Sequence, residues 1–419
     1  MLIRKHKKLL VATCMLVICI CAAFLFIQYQ NRKSQTILKL SAEQKLSDFD
    51  VLCEILDKSY PFWSEAEQAG IDKETIYNTY RTDIVNTNTD IEFFKYMGYF
   101  LNEFEGFGHL SVLDGYMYGI YMDTISESNL VLSTEDEKSI ELLRNTLENP
   151  VSKNTYRLLD QSHAGFRSII GLKEEYKKED SENTVDLPDI VTSVYDERTA
   201  YIKINSFELT RYQNDKEVLD NFFEQIKDFP NLIIDLRGNS GGSDLYWQNL
   251  IVKPNAKTNL ESERYFLFNH NEITDNYISA LGISENEIDT LSKPWLSQYR
   301  NNFTQYTIDV ESFDEAQNPY SGTIWVLVDD TVYSASENFV MFCKNTGFAT
   351  IVGTSTNGDG GIADPLLVSL PNSGLIIRFS VFYGLNEDGS GNEVNGTKPD
   401  IVISEDEDAL TKCLEQINR

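Results

Sequence analysis

Residues 233–242 read Ile233-Ile234-Asp235-Leu236-Arg237-Gly238-Asn239-Ser240-Gly241-Gly242. The apolar start has the length and β-branched character of a buried strand, and the glycines after it break the pattern. Glycine reaches backbone angles closed to other residues, so such a loop can turn several N–H groups toward one point, as an oxyanion or a phosphate requires. No Gly-Lys-Ser/Thr follows, which removes the phosphate-loop reading. A strand ending in a glycine turn is also a common structural element, and this stretch alone leaves both readings open.

The strand of this stretch, Leu232–Leu236, has companions at Thr199–Ile204, Thr323–Val328, Ala349–Val352 and Leu375–Phe382. Helix-like segments at Asp215–Lys227 and Ser336–Asn345 separate several of them. Apolar strands alternating with helices predict an α/β layered core with substantial parallel pairing. Upstream, the apolar period is that of helices. Ser41 with Glu43 and Gln44 opens a helix carrying Leu46, Phe49, Leu52, Ile55 and Leu56, stopped by Pro61. Asp72–Asn86 and Thr89–Glu105 follow, the latter with Phe94, Met97, Leu101 and Phe104 on one core-facing stripe. Together they predict a small helical bundle that ends at Gly106-Phe107-Gly108-His109. Over residues 110–195, Ser133–Thr146 and Asn154–Tyr176 read as helices and Lys177–Asn183 as a solvated loop. No internal repeat and no recognisable peptide-binding module is legible there.

With 42% hydrophobic and 12% aromatic residues in 419, the chain has ample material for a core, which excludes wholesale disorder. The net charge of -29 excludes a nucleic-acid binder, since no basic footprint exists downstream of residue 35 to displace counterions. The first 27 residues carry Arg4, Lys5, Lys7 and Lys8 and no acid. They include a 19-residue uncharged run, Leu9–Ile27, which as a helix spans about 28 Å of hydrocarbon. The basic cluster before it is expected to stay cytoplasmic and to send the rest of the chain outward. A cleaved signal peptide is the rival reading, with Cys21-Ala22-Ala23 the nearest cleavage-like site. Cys14, Cys19 and Cys21 fall within the run. The remaining Cys53, Cys343 and Cys413 match no zinc spacing and are expected as buried thiols with at most one disulfide. No His/Asp/Glu cluster has ligand spacing, so no metal and no cofactor is expected.

Two further places put chemistry beside the end of a regular element. In Val328-Asp329-Asp330-Thr331-Val332-Tyr333-Ser334-Ala335-Ser336-Glu337 a strand passes into a helix, and a serine at that boundary gains from the helix dipole and from free N–H groups. The plainer reading makes Ser334 or Ser336 an N-cap, with Glu337 completing a capping turn. Of the four histidines, His6 lies before the anchor, while His163 and His270 have polar, turn-like surroundings. That leaves His109 as the candidate imidazole base, or else as an ordinary packed side chain.

Taken in order, Gly-x-Gly-His, Asp-Leu-Arg-Gly-Asn-x-Gly-Gly, Val-Leu-Val-Asp with Tyr-Ser-Ala-Ser-Glu, Ile-Val-Gly-Thr-x-Thr-x-Gly and Glu-x-x-Gly-x-x-Pro-Asp-Ile resemble the serine peptidases of the C-terminal-processing and tricorn-core family, over roughly residues 40–405. The resemblance implies a crotonase-like core with Ser334 as nucleophile and Gly241, Gly242 and Ala335 as backbone donors to the oxyanion. The processing branch takes a lysine base from the glycine loop after the next strand. Here that loop is Gly358-Asp359-Gly360-Gly361, and an aspartate cannot replace the lysine. The tricorn-like branch uses a histidine matched by His109 and a glutamate matched by Glu393. Its serine before the histidine is Gly108 here, with Ser111 the nearest hydroxyl.

The expected organisation is a basic tail (1–8), a transmembrane anchor (9–27), a linker (28–40), a helical N-terminal domain and insert carrying His109 (41–195), and a crotonase-like α/β peptidase core (196–419). The expected function is a membrane-anchored, extracytoplasmic serine endopeptidase acting on unfolded or extended peptides, with a catalytically silent peptide- or ligand-binding member of the same fold as the alternative. If Leu9–Ile27 is an anchor, the full-length chain stays with membranes through an alkaline carbonate wash while a chain starting near Ser41 is soluble. Release of the full-length chain by the wash would refute the anchor.

Overall fold

The computed structural model describes residues 39–127, 134–159, 190–404 and 406–419. The anchor, most of the linker, Cys14, Cys19, Cys21, His6, His163, the distal part of the helix expected at Asn154–Tyr176 and the loop Lys177–Asn183 lie outside the described residues. Among those described, no helix is long and apolar enough to cross a membrane.

The N-terminal helices form where their caps allow. Helix α1 (Ala42–Ser59) starts with Ser41 accepting from the Gln44 N–H while the Gln44 side chain returns to the Ser41 N–H. After α2 (Trp63–Gln68), Asp72 caps α3 (Lys73–Val85) and Thr89 caps α4 (Asp90–Asn102). The stripe Phe94, Met97, Leu101 and Phe104 is fully buried. Strand β1 (Ser111–Val112) leads into α5 (Gly115–Glu127), which the sequence reading missed, then α6 (Thr134–Leu147) and α7 (Pro150–Leu158).

The central sheet has six strands. Beginning at β2 (Ile190–Asp196) and β3 (Thr199–Ile204), the chain passes through helix α8 (Tyr212–Ile226) to β4 (Asn231–Asp235). Its remaining members are β8 (Thr323–Val328), β9 (Thr350–Gly353) and β13 (Ile401–Val402), in the order β13-β9-β8-β4-β3-β2. All neighbouring pairs are parallel except β2 with β3. Both faces are covered, which explains why the strands read as continuous apolar runs. Leu232, Ile234, Val326, Val328 and Ile351 face α8 and helix α10 (Ala335–Thr346), while Ile233, Leu327 and Val352 face the C-terminal helix α12 (Ala409–Ile417).

An antiparallel sheet of β12 (Tyr383–Leu385), β5 (Leu260–Phe268), β7 (Gln305–Phe313) and β6 (Asn286–Glu287) is an addition the sequence reading did not find. A third sheet joins β1 to β11 (Ile376–Phe379) and β10 (Leu366–Ser369), pairing Ser111 with Arg378. The helices α1, α4 and α7 share one core with these two sheets. Asp48 of α1, fully buried, accepts from the backbone N–H groups of Asn372 and Ser373 and from the Asn372 side chain at 2.7–2.9 Å. Tyr156 of α7 donates to Leu113 O and accepts from the Ile376 N–H. These bonds clasp the β10–β11 hairpin, and through it hold His109, two residues before β1, against Arg378.

Cys53, Cys343 and Cys413 are free thiols, Cys53 half-buried and the others buried. Asp48→Ala strands two buried N–H groups and should lower unfolding stability by about 3 kcal/mol in urea titration. A loss below about 0.5 kcal/mol would show that the clasp is not a determinant of the fold.

Candidate active site

The carboxyl ends of neighbouring parallel strands are where loops converge, and the β4–β8 pairing brings two such loops together. Asp235 fixes the first. Burial alone would raise its carboxyl, but the Arg237 guanidinium at 2.7–3.0 Å, the Tyr201 hydroxyl and the Lys203 charge outweigh it and hold the carboxyl below its ordinary range. Beyond it, Gly238 N–H donates to the Thr331 hydroxyl at 2.7 Å, tying the glycine loop to the loop after β8.

Ser334 sits between β8 and α10 with φ 57° and ψ -126°, a conformation L-residues adopt only when the surroundings enforce it. Its side chain makes no capping hydrogen bond. The capping alternative therefore does not describe Ser334. Nor does it describe Ser336, whose hydroxyl is buried and donates to Asn239 Oδ1 at 2.6 Å. Glu337 completes no capping turn either. It is fully buried, and its Oε1 accepts from Asn392 Nδ2 and the Thr397 hydroxyl. Burial raises its carboxyl, despite those hydrogen bonds, so it is held in the protonated direction.

Of the three expected oxyanion donors, Gly241 and Ala335 adjoin Ser334, and Gly242 follows in the same glycine loop. A Cβ on Gly241 would stand 3.0 Å from Ser334 Cβ and 3.1 Å from Ala335 N, so the glycine loop touches the serine turn. The Gly241 N–H, however, donates to Asn239 Oδ1 at 2.9 Å, so it is already engaged. Gly242 is exposed and Ala335 is the first residue of α10, and no acceptor for either N–H occurs among the described residues. Asn239, completely buried, organises this side of the site: it takes the Gly241 N–H and the Ser336 hydroxyl and donates to Ile204 O. The sequence reading quoted Asn239 and gave it no role.

His109 lies in a left-handed turn at φ 62° just before β1. Its ring packs edge-on to Tyr333 with centroids 5.1 Å apart. Its Nε2 is paired with Asp359 Oδ2, and its Nδ1 meets Arg378 Nη1 at 3.1 Å. Asp359, which the sequence reading set aside, is thus the carboxylate in direct contact with the imidazole. Asp359 too has positive φ, 58°. Its loop is tied to the serine turn by the Ser334 N–H donating to Gly358 O at 3.2 Å. Asn392 Oδ1 accepts from the Gly360 N–H at 2.7 Å and Asn338 Nδ2 donates to Gly361 O at 3.0 Å.

Glu393 is near the imidazole but does not hold it. Its Oε1 accepts the Gly108 N–H at 2.8 Å, and its buried Oε2 has no hydrogen-bond partner among the described residues. Burial, reinforced by the Asp359 charge, pushes its carboxyl well above the ordinary value. Ser111 donates to the His109 carbonyl, away from the ring. His270 is a surface residue paired with Asp275, as expected. Arg378, Tyr333 and Asn392 escaped the sequence reading; only pairing across β1–β11 brings Arg378 to the site. Among the described residues no group of His, Cys, Asp and Glu is arranged to hold a metal.

Residues 198–403, about half of the chain, match the family model described as peptidase family S41. No curated protein matches the chain. Among solved structures, a protein of Parabacteroides merdae ATCC 43184 assigned as a peptidase is 20% identical with TM-score 0.52, covering 91% of this chain and 96% of its own. Mature CPAF complexed with lactacystin is 15% identical with TM-score 0.53, covering 86% of this chain and 94% of its own. At these identities the two structures show a shared fold. The family match, whose span takes in the glycine loop and the serine turn, says the rest: the chain belongs to peptidase family S41 and is a serine-type peptidase.

Proposed function

We propose that the chain is a membrane-anchored endopeptidase facing away from the cytoplasm, with a crotonase-like core that cleaves extended peptides through an acyl-enzyme on Ser334. The observation that carries this reading is the Ser334 turn. A hydroxyl at a strained strand-to-helix junction, free of any capping bond, adjoins the Ala335 N–H and touches the glycine loop whose next N–H, that of Gly242, like that of Ala335, has no acceptor among the described residues. Such donors stabilise the charge that appears on the carbonyl oxygen only as the tetrahedral intermediate forms.

In the proposed sequence Ser334 Oγ attacks the scissile carbonyl and His109 takes its proton. The oxyanion rests on the Gly242 and Ala335 N–H groups, and His109 then protonates the leaving amine. A water deprotonated by the same imidazole releases the acyl group. Support for His109 as the base is its approach to Tyr333, the residue before the nucleophile, and to Asp359 in the loop bonded to the Ser334 N–H. The anchor and the outward orientation rest on the charge-flanked run Leu9–Ile27.

One observation favours the silent alternative: both ring nitrogens of His109 are engaged and neither is bonded to Ser334. A serine-reactive fluorophosphonate separates the two. Covalent labelling at Ser334 is expected of the enzyme, whereas a folded chain that stays unlabelled would refute it. Ser334→Ala should abolish labelling and peptide hydrolysis with Tm nearly unchanged, because the side chain makes no capping bond. A capping serine would instead lose about 1 kcal/mol and leave hydrolysis intact. Gly241→Ala should also abolish labelling, since its Cβ would lie 2.8 Å from Tyr333 O at a φ of 111°. Normal labelling of that variant would remove the glycine loop from the site.

A further inference from the structure

The clamp on His109 has a chemical consequence. A guanidinium only donates hydrogen bonds and a carboxylate only accepts them. With Arg378 at Nδ1 and Asp359 at Nε2, the neutral ring must carry its proton on Nε2, and its lone pair, the proton-accepting site, is on Nδ1. Arg378 therefore covers the basic nitrogen at rest, and that contact gives way when Nδ1 takes a proton.

We propose that Asp359 is the carboxylate that fixes the His109 tautomer and stabilises its imidazolium, and that Glu393 stands behind it without acting on the ring. The inference deepens the peptidase reading and rests on it for its kinetic readout. Asp359 is a positioning residue here: it acts through His109 and touches no reacting atom.

The geometry carries the assignment. Among the described residues Asp359 is the acid that contacts the ring, and its loop is pinned at Gly358, Gly360 and Gly361 by the bonds from Ser334, to Asn392 and from Asn338. A non-glycine residue at φ 58° in so constrained a loop is costly and persists where the surroundings over-determine it. Glu393 spends one oxygen on the Gly108 N–H, and the other is buried without a hydrogen-bond partner among the described residues; Glu393 and Asp359 line one recess together with Phe62, Ser380, Phe382 and Asn392. Two carboxyls lining one small recess cannot both be ionised cheaply, so one is pushed toward its protonated form. Burial and the Asp359 charge push Glu393, which does not touch the ring, in that direction. Other charged or titratable groups facing this pair, besides His109, include Arg378, Tyr333, Tyr60, Glu65 and Glu337. Burial and the two carboxyls push both phenols up, keeping them neutral.

The test uses the full-length chain in detergent, labelled with 15N-histidine, which gives only four imidazoles to resolve. Long-range 1H–15N spectra are expected to show His109 with its proton on Nε2. In Asp359→Asn that preference should be lost, and phosphonylation of Ser334 by the fluorophosphonate, with loss of fluoride, should slow about a thousandfold or more, the scale seen when a triad carboxylate is neutralised. Glu393→Gln, which resembles the protonated acid, should keep the Nε2–H tautomer and cost no more than about tenfold. The inference is overturned if Glu393→Gln scrambles the tautomer or costs a thousandfold, and equally if a folded Asp359→Asn retains both tautomer and rate. Glu393→Gln decides the matter even where Asp359→Asn fails to fold. Absence of labelling in the unmodified chain would defeat the peptidase reading, while the tautomer would still report on Asp359.

Discussion

Ser334 is held where a serine does not rest on its own, and the architecture around it exists to hold it there. A φ of 57° at a non-glycine residue costs on the order of 1–3 kcal/mol. The cost is offset by α10, whose residues from Ala335 to Cys343 are all buried, and by the β8 strand that feeds it. A helix anchored on its first turn and a strand anchored on both faces leave the junction no freedom to relax. The same constraint leaves the Ala335 N–H at a helix start without an intrahelical acceptor, so the strain and the proposed oxyanion donor have one origin.

Around that junction three loops from distant parts of the sequence are bonded to one another through backbone groups. Asn239 ties the glycine loop to Ser336, the Ser334 N–H ties the turn to Gly358, and Asn392 links the Gly360 N–H to buried Glu337. Uncharged amides suit this task. Each can donate and accept at once, satisfying buried partners without the desolvation penalty a charge would carry. Charged groups do two other things: Asp235 with Arg237 holds the base of the glycine loop, and Arg378 meets the imidazole, where the raised carboxyl of Glu393 limits how much negative charge the recess holds.

The parallel strands were legible because burial on both faces writes itself as continuous apolar runs: Thr199–Ile204 and Thr323–Val328 have the bounds read from the sequence. The helix caps at Ser41, Asp72 and Thr89 were legible because capping is local chemistry. Strands β5 and β7 were not. The exposed face of β5 carries Glu261 and Glu263, and Asp309 and Glu311 of β7 sit on the opposite face beside buried Arg264, so charge on both faces disguises a nine-residue pairing as polar coil. Ser334 and the glycine loop could be found because each is a contiguous motif. The contact of Asp359 with His109 could not: it depends on 250 residues of intervening chain and on a hairpin clasped by α1 and α7. A motif comparison that asks whether a lysine is present sees only its absence.

That absence has a physical complement. A lysine in the loop after β9 could serve as a base without help from the N-terminal unit, since its own amine would reach the nucleophile. An aspartate at the same position can do nothing alone. Buried and unpaired it would be costly, and as a base it would be too weak for a serine hydroxyl. It becomes useful only when a donor that can accept a second proton stands against it, and the imidazole of His109 is such a donor. Aspartate in the loop and histidine before β1 are therefore one choice made at two places. It makes the helical unit, which carries His109 and clasps the hairpin bearing Arg378, as much a part of the site as the sheet that carries the serine.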